Sequence, residues 1–293
     1  MIILIFGGSG VVGSKIAEVA ELRHHEVYPT FLNSRPLNPR ALQVDVTDRL
    51  YVAWIVRQVR PDVVVHCASL ASPDACEKDK ALAFDVNVRG AWNIFEASKG
   101  IKAHIVYLST CSVFDGEKGD YVESDDPHPI NYYGETMLKG EGLLLRIAEP
   151  SSLIVRTSMV YGSSGAKRNF ASYVLGKLRS GEKVEAIDDQ WLNPTLDTSL
   201  GEMVCEAAEK KLRGVLHLAG ATRATRYDFA LSLAQVFGYD ASLVTKISMK
   251  EIHWAVRRQR DMSLSVEKAR SVLEDKPLRL DESLRKLRCE PVS

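Results

Sequence analysis

The chain is expected to fold as an α/β protein, a Rossmann-type doubly wound parallel sheet with a smaller C-terminal α/β lobe. Three observations carry that expectation. Residues 2–6 are an uninterrupted apolar run that breaks on a glycine pair, short β-branched runs recur through the first half of the chain, and stretches with helical spacing separate them. Strands that are apolar throughout are buried on both faces, as in parallel sheets covered by helices. Regular alternation of such strands with helices is the pattern of the doubly wound class.

In order, strands are expected at 2–6, 27–31, 41–44, 63–67, 104–108 and 153–155, with crossover helices at 11–22, 50–59, 80–98 and 132–147. Pro61 stops the second crossover just before its strand, and Gly100 closes the third. Past Tyr161 the alternation loosens, and Gly162, Ser163, Ser164 and Gly165 mark a turn-rich junction. The sheet domain is therefore assigned to residues 1–160 and the lobe mainly to 161–293, with interleaving into the sheet left open. The lobe is expected to hold helices at 170–178, 200–210, 227–237 and 266–273 and strands at 184–187 and 215–218.

Composition excludes several classes. The 293 residues carry 38 Lys plus Arg against 38 Asp plus Glu, so no net field recruits nucleic acid. An apolar share of 45% beside 26% charged residues describes a soluble globular chain with a sizeable core. The opening apolar run is too short to cross a bilayer or serve as a signal segment, so the expected location is the cytoplasm, with no membrane partner. Cys67, Cys76, Cys111, Cys205 and Cys289 are odd in number and scattered, which argues against a disulfide framework or a zinc site. The seven histidines lack ligand spacing, and no metal is expected.

The strongest chemical signal follows the first strand. Gly7-Gly8-Ser9-Gly10-Val11-Val12-Gly13 lies between that strand and a helix, the context a dinucleotide-binding loop needs. Gly7 allows the tight turn, Gly10 lets backbone N–H groups approach a pyrophosphate, and Gly13 lets helix and strand pack closely. Residues 1–160 thus read as an NAD(P)-binding domain. An acid that would hold the ribose 2′-hydroxyl is absent after the second strand, where Thr30, Phe31, Leu32, Asn33, Ser34 and Arg35 stand. Arg35 suits a 2′-phosphate, which favours NADP(H) and leaves NAD(H) open.

The segments Ser109-Thr110-Cys111-Ser112-Val113-Phe114-Asp115-Gly116 and Tyr132-Tyr133-Gly134-Glu135-Thr136-Met137-Leu138-Lys139-Gly140-Glu141 give the chain a family likeness. With the glycine loop, Arg156-Thr157-Ser158-Met159-Val160-Tyr161-Gly162 and Arg257-Arg258-Gln259-Arg260-Asp261, they resemble the extended short-chain dehydrogenase/reductase superfamily. Within it the chain looks most like the dTDP-4-dehydrorhamnose reductase family, whose relatives include the regulatory subunit of methionine adenosyltransferase. The resemblance implies that Thr110 hydrogen-bonds a substrate carbonyl and that Tyr133 is the proton donor. It further implies cofactor contacts from the glycine loop, from Asp45 and Val46 beside the adenine, and from Cys67, Ala68 and Ser69, with Asn87 tied to a proton relay. Its nucleotide-sugar lobe would use Trp191, Arg258 and Arg260, since a guanidinium fork matches diphosphate oxygens. Tyr161 is expected near the carboxyl edge of the sheet, and a homodimer is left open.

One residue departs from the family pattern. Four positions after the tyrosine the pattern has lysine, and this chain has Met137. That lysine binds the nicotinamide ribose and lowers the tyrosine pKa, and a thioether does neither. Lys139 cannot replace it, because two residues along a helix is about 200° around its axis. Two functions stay open. The first is an NAD(P)H-dependent reductase of a nucleotide-linked 4-keto sugar, most like dTDP-4-dehydro-L-rhamnose, with activity weakened at Met137. The second is a cofactor-binding regulatory subunit similar to that of methionine adenosyltransferase.

Overall fold

The computed structural model describes residues 1–148, 151–163 and 169–290, so Ser164 and Gly165 of the expected junction and the last three residues lie outside the described part. In chain order the elements are β1 (Ile2–Phe6), α1 (Val11–Leu22), β2 (Glu26–Phe31), β3 (Leu42–Gln43), α2 (Arg49–Val59), β4 (Val63–His66), α3 (Pro73–Lys78), α4 (Lys80–Phe84), α5 (Ala91–Gly100), β5 (His104–Thr110), α6 (Tyr132–Ala148) and β6 (Ser152–Thr157). There follow β7 (Val160–Tyr161), α7 (Phe170–Arg179), β8 (Val184–Ile187), β9 (Trp191–Leu192), β10 (Thr195–Leu196), α8 (Asp197–Glu209), β11 (Gly214–His217), β12 (Ala224–Thr225), α9 (Arg226–Phe237), β13 (Val244–Ile247), α10 (Glu267–Val272) and α11 (Leu280–Cys289).

Seven parallel strands form the central sheet in the order β11-β6-β5-β4-β1-β2-β3. The order reverses between β1 and β4, which opens a crevice at their carboxyl ends where open α/β sheets bind ligands. Alternate residues of each strand serve opposite faces. Leu4 and Phe6 pack with α2, α5 and α6 residues such as Val52, Phe95 and Leu144, while Ile3 and Ile5 pack with Ile16 of α1 and Val204 of α8. This two-sided burial is why β1 and β4 read as continuous apolar runs.

The expected single helix over 80–98 is broken. α4 starts where the Asp79 carboxylate accepts the Leu82 N–H at 2.9 Å, and residues Asp85–Gly90 then widen into a π-helical turn before α5. The widened turn points Asn87 inward and presses Gly90 against Val46, whose Cγ2 would lie 2.7 Å from an added Cβ. Such turns inside helices commonly mark functional sites.

Three of the segments expected in the lobe belong to the sheet domain, one being the helix over 266–273, where buried Ala269 and Leu273 pack in the same core as α1 and α8. The strand over 215–218 is β11, parallel to β6 with Leu216 opposite Val155, and the helix over 200–210 is α8, whose buried Leu200, Met203 and Val204 pack with α1. Sequence position does not reveal which sheet edge a late strand joins, and the apolar edge of β6 accepted this one. The lobe itself is built on a separate core in which Tyr161, Phe229, Leu233 and Leu284 join α7, α9 and α11. Three small two-stranded sheets, β7 with β10, β9 with β12 and β8 with β13, frame it.

His66 ends β4 and stands in register with Phe6 and Tyr107. Its ring stacks at 5.3 Å on Tyr107 and meets the edge of Phe95 at 5.7 Å. Neither ring nitrogen has a hydrogen-bond partner among the described residues. Burial pulls its pKa down to about 3, so between that value and the ordinary value of about 6.5 the unfolded chain binds a proton that the folded chain refuses. Stability held at pH 7 must therefore fall as the pH falls through this window, by about 2 kcal/mol at pH 5 from this residue. Denaturant unfolding of the His66→Phe variant at pH 7 and pH 5 should show an acid loss smaller by that amount; an unchanged loss would refute neutral burial.

Candidate active site

The crevice is a cavity of about 630 Å³ walled by the glycine loop, the carboxyl ends of β4, β5 and β6, the start of α6 and the lobe. Gly7 turns the chain out of β1 with φ +84°, and a Cβ there would lie 2.6 Å from the Ala68 nitrogen. Gly10 follows, its N–H bonded to the Gly7 carbonyl at 3.0 Å. A Cβ on Gly13 would meet that same carbonyl oxygen at 2.3 Å, so the start of α1 lies against the loop as only glycine permits. Gly10 caps α1 without a side-chain hydrogen bond, which leaves first-turn N–H groups available to an anion. Val11, Val12 and Gly13 face the same cavity. Ser9 is half-buried beside them.

Cys67 and Ser69, after β4, line the cavity, while the Ala68 backbone is occupied in seating Gly7. Burial drives the Cys67 thiol well above its ordinary pKa, so it is an inert wall residue. Phe31 is half-buried at the end of β2, Asn33 and Arg35 are exposed, and none of these three is on the cavity wall. Asp45 is exposed and turned to its own loop, accepting the Thr47 N–H at 2.9 Å and hydroxyl at 2.7 Å. Val46 is buried against the π turn. The structure thus places these five at the β2–β3 edge, beyond the enclosed part of the crevice.

Thr110 and Tyr133 come together on the cavity wall. Thr110 is the last residue of β5, and its Oγ1 accepts the Ser112 N–H at 3.1 Å, starting a tight turn over Cys111–Val113. Tyr133 stands in the first turn of α6, where Asn131 accepts the Gly134 N–H at 3.0 Å. Burial raises the phenol well above its ordinary pKa, and a hydrogen bond with Thr110 pulls it part of the way back. The remaining groups acting on it are Cys111 and Cys76, and none is a cation. The phenol is therefore firmly protonated at neutral pH.

Met137 lies one turn below on the same face, only 1% exposed. Its sulfur accepts the Tyr107 hydroxyl at 3.6 Å. Lys139 points elsewhere, with its Nζ 5.7 Å from the Tyr132 ring centroid and 5.9 Å from that of Phe84. Asn87 was expected in a proton relay, and the structure shows its amide engaged otherwise. Its Oδ1 accepts the Leu70 N–H at 2.7 Å, and its Nδ2 donates to the Leu70 carbonyl and, at 3.0 Å, to Thr136 Oγ1. Thr136 in turn donates to the Tyr133 carbonyl at 2.8 Å. Asn87 fastens the loop after β4 to the tyrosine helix.

From the lobe, Arg258 reaches the cavity and Trp191 and Arg260 do not. Trp191 is packed between Arg223 and Arg260, with guanidinium carbons 4.7 and 5.5 Å from its ring centroid. Tyr161 is also absent from the wall; it is fully buried and donates to Ser283 Oγ at 2.7 Å. One residue that sequence reasoning missed is Arg226. It opens α9, directly after the Thr225 cap and inside the Thr225–Asp228 capping box, and lines the cavity. Burial and the nearby Arg258 both lower its pKa, and no acidic partner for it is found among the described residues. Arg258 does have one, Asp74 at 2.6 Å. The Thr-Arg-Tyr-Asp string would have flagged a capped helix whose first residue is cationic, but not which way that cation faces.

Comparison with known proteins agrees with this geometry. The family model of the RmlD substrate binding domain matches residues 1–289. A dTDP-4-keto-6-deoxy-D-glucose reductase of Streptomyces niveus is 32% identical over 85% of this chain and 83% of its own length. The methionine adenosyltransferase 2 subunit beta of Rattus norvegicus is 28% identical over 87% of this chain and 78% of its own. Among solved structures, the dTDP-4-dehydrorhamnose reductase of Bacillus anthracis in complex with NADP superposes with a TM-score of 0.89, at 26% identity and with 99% of each chain covered. A dinucleotide loop, a Thr–Tyr hydroxyl pair and an arginine-bearing lobe around one crevice thus accompany a match over nearly the whole length, and the chain belongs to the RmlD substrate-binding-domain family.

Proposed function

We propose that the protein is an NAD(P)H-dependent reductase of a nucleotide-linked 4-keto sugar, most like the conversion of dTDP-4-dehydro-L-rhamnose to dTDP-L-rhamnose. The observation that carries this reading is the single cavity in which the glycine loop, the Thr110–Tyr133 pair and two arginines all take part. Gly7 and Gly13 let the loop close tightly on the Ala68 backbone and on the start of α1, and α1 has no side-chain cap, so the residues present fit a dinucleotide pyrophosphate. The bound nicotinamide would supply the hydride. The lack of an acid over residues 30–35 and the exposed Arg35 favour the phosphorylated cofactor, as does the NADP held by the Bacillus anthracis relative.

The chain's own residues supply the proton and the grip. Tyr133, held protonated by burial, donates its phenolic proton to the carbonyl oxygen as charge develops there, and Thr110 gives that oxygen a second hydrogen bond. Arg226 and Arg258 face the same space from the lobe and suit the two phosphates of the sugar nucleotide. Burial and Met137 keep Tyr133 in the phenol form from which reduction starts, and both weaken it as an acid, because the phenolate left after proton transfer is desolvated and has no cation beside it.

A second reading has one observation behind it. Met137 removes the cation that would orient the nicotinamide ribose, and a methionine adenosyltransferase beta subunit is among the relatives. In that reading the cofactor is held for assembly or sensing without turnover.

The decisive assay follows NADPH oxidation with dTDP-4-dehydro-L-rhamnose for the native chain and for Met137→Lys. We expect slow turnover by the native protein and a gain on the order of tenfold to a hundredfold with lysine, in line with single preorganised groups elsewhere. Cofactor binding without turnover in both proteins would rule out the reductase reading. In the same assay Arg226→Ala should raise KM for the sugar nucleotide by about tenfold or more and leave the KM for NADPH unchanged, since a charge-assisted phosphate contact of roughly 1.5–3 kcal/mol is lost. An unchanged sugar-nucleotide KM would remove Arg226 from the substrate site.

A further inference from the structure

The segment that brings Arg258 to the cavity also carries Gln259, which is 2% exposed and whose side-chain amide is engaged at both ends. Its Nε2 donates to the carbonyls of Ser112 and Phe114, each at 3.2 Å. Those carbonyls belong to the turn that Thr110 starts by accepting the Ser112 N–H. Its Oε1 accepts from Asn131 Nδ2 at 3.5 Å, and the same Nδ2 donates to the Arg257 carbonyl at 3.3 Å. Asn131 is the residue that caps α6 beside Tyr133. The Gln259 carbonyl accepts from Gln190 Nε2 at 2.9 Å, and Gln190 Oε1 faces Arg226 Nε at 3.4 Å. One side chain therefore touches the turn behind Thr110 and the cap in front of Tyr133, while its neighbours in the chain and in space are the two cavity arginines.

We infer that Gln259 is a positioning residue that couples anion capture by Arg258 and Arg226 to the alignment of the Thr110 and Tyr133 hydroxyls. The inference rests on the reductase reading for its kinetic consequence but not for its structural one. Only an amide fits the role, because two carbonyl oxygens must be met by a donor while a third group donates to the other end. Leucine keeps the volume and loses all three bonds. A glutamate keeps the shape, yet when ionised it sets a carboxylate oxygen against two carbonyls, and only its protonated form can donate to one of them.

The test compares native protein, Gln259→Leu and Gln259→Glu by steady-state kinetics and by amide hydrogen exchange with and without thymidine diphosphate. Gln259→Leu should lower kcat about tenfold or more with KM for NADPH unchanged, as expected for loss of alignment without loss of the cofactor site. Gln259→Glu should recover activity, relative to the leucine variant, as the pH is lowered. In the native protein thymidine diphosphate should slow exchange at residues 111–116 and 132–134, and in Gln259→Leu that protection should disappear. Equal kcat in native and leucine proteins would overturn the inference, as would protection that is absent from the native protein or survives the leucine substitution. A native protein without turnover would overturn the reductase reading alone, and the exchange experiment would still decide the coupling.

Discussion

The buried ion pair between Glu141 and Arg156 sets the geometry on which the active-site region depends. Arg156 Nη2 lies 2.7 Å from Glu141 Oε2 and Nε lies 3.0 Å from Oε1, with both side chains no more than 5% exposed. Ser109 adds a hydroxyl donated to Oε1 at 2.5 Å, and the Phe114 ring lies 5.0 Å from the guanidinium carbon. A bidentate pair in a dry interior tolerates little sliding, and removing either partner would strand the other's charge. Because Ser109 precedes Thr110 on β5, Arg156 sits on β6, and Glu141 lies two turns along α6 from Tyr133, the pair fixes helix register against the sheet. That Thr110 and Tyr133 face one cavity is a consequence of that register, with Tyr133 about 12 Å further up the helix.

A second set of constraints works from the other side of the crevice. Asn87, made to face inward by the widened turn before α5, joins the loop after β4 to Thr136, and Thr136 holds the Tyr133 carbonyl. Gln259 and Asn131 brace the same helix start from the lobe. Tyr133 is thus held from two sides, by the loop after β4 and by the lobe, and none of these contacts is a charged group near its phenol. The arrangement controls where the Tyr133 phenol stands by hydrogen bonding and packing, and controls its protonation by burial.

Much of this was legible in the sequence, for identifiable physical reasons. β1, β4 and β5 announce themselves because strands buried on both faces are predominantly apolar, and the glycine loop does so because close approaches at Gly7 and Gly13 admit no Cβ. Thr110 and Tyr133 followed from family resemblance and met on one wall. Long-range placement was not legible. The pairing of β11 with β6 depends on an edge that the local pattern of 214–217 does not encode. Arg226 escaped notice because a capped helix start says nothing about the direction of its first side chain, and Gln259 because amide networks have no periodicity. The two arginines near Trp191 illustrate the converse: Arg260 looked like a phosphate ligand, yet its guanidinium rests on the indole.

Met137 is where local chemistry and family pattern diverge, and the surroundings decide what that divergence costs. A lysine at this place would stabilise a phenolate, which the oxidative direction requires as a base. Here the phenol has no cation acting on it, and burial has moved its pKa further from neutrality. Reduction needs the opposite state, a phenol able to give its proton to an oxygen that is becoming an alkoxide, and burial keeps that state populated at every physiological pH. The thioether also completes the core, filling the space under the cavity and accepting the otherwise buried Tyr107 hydroxyl. On the reductase reading the site keeps Tyr133 in the form from which reduction starts, at the cost of a weaker acid and one hold on the cofactor, and it relies on Thr110 and the lobe arginines for the alignment that a lysine would have shared.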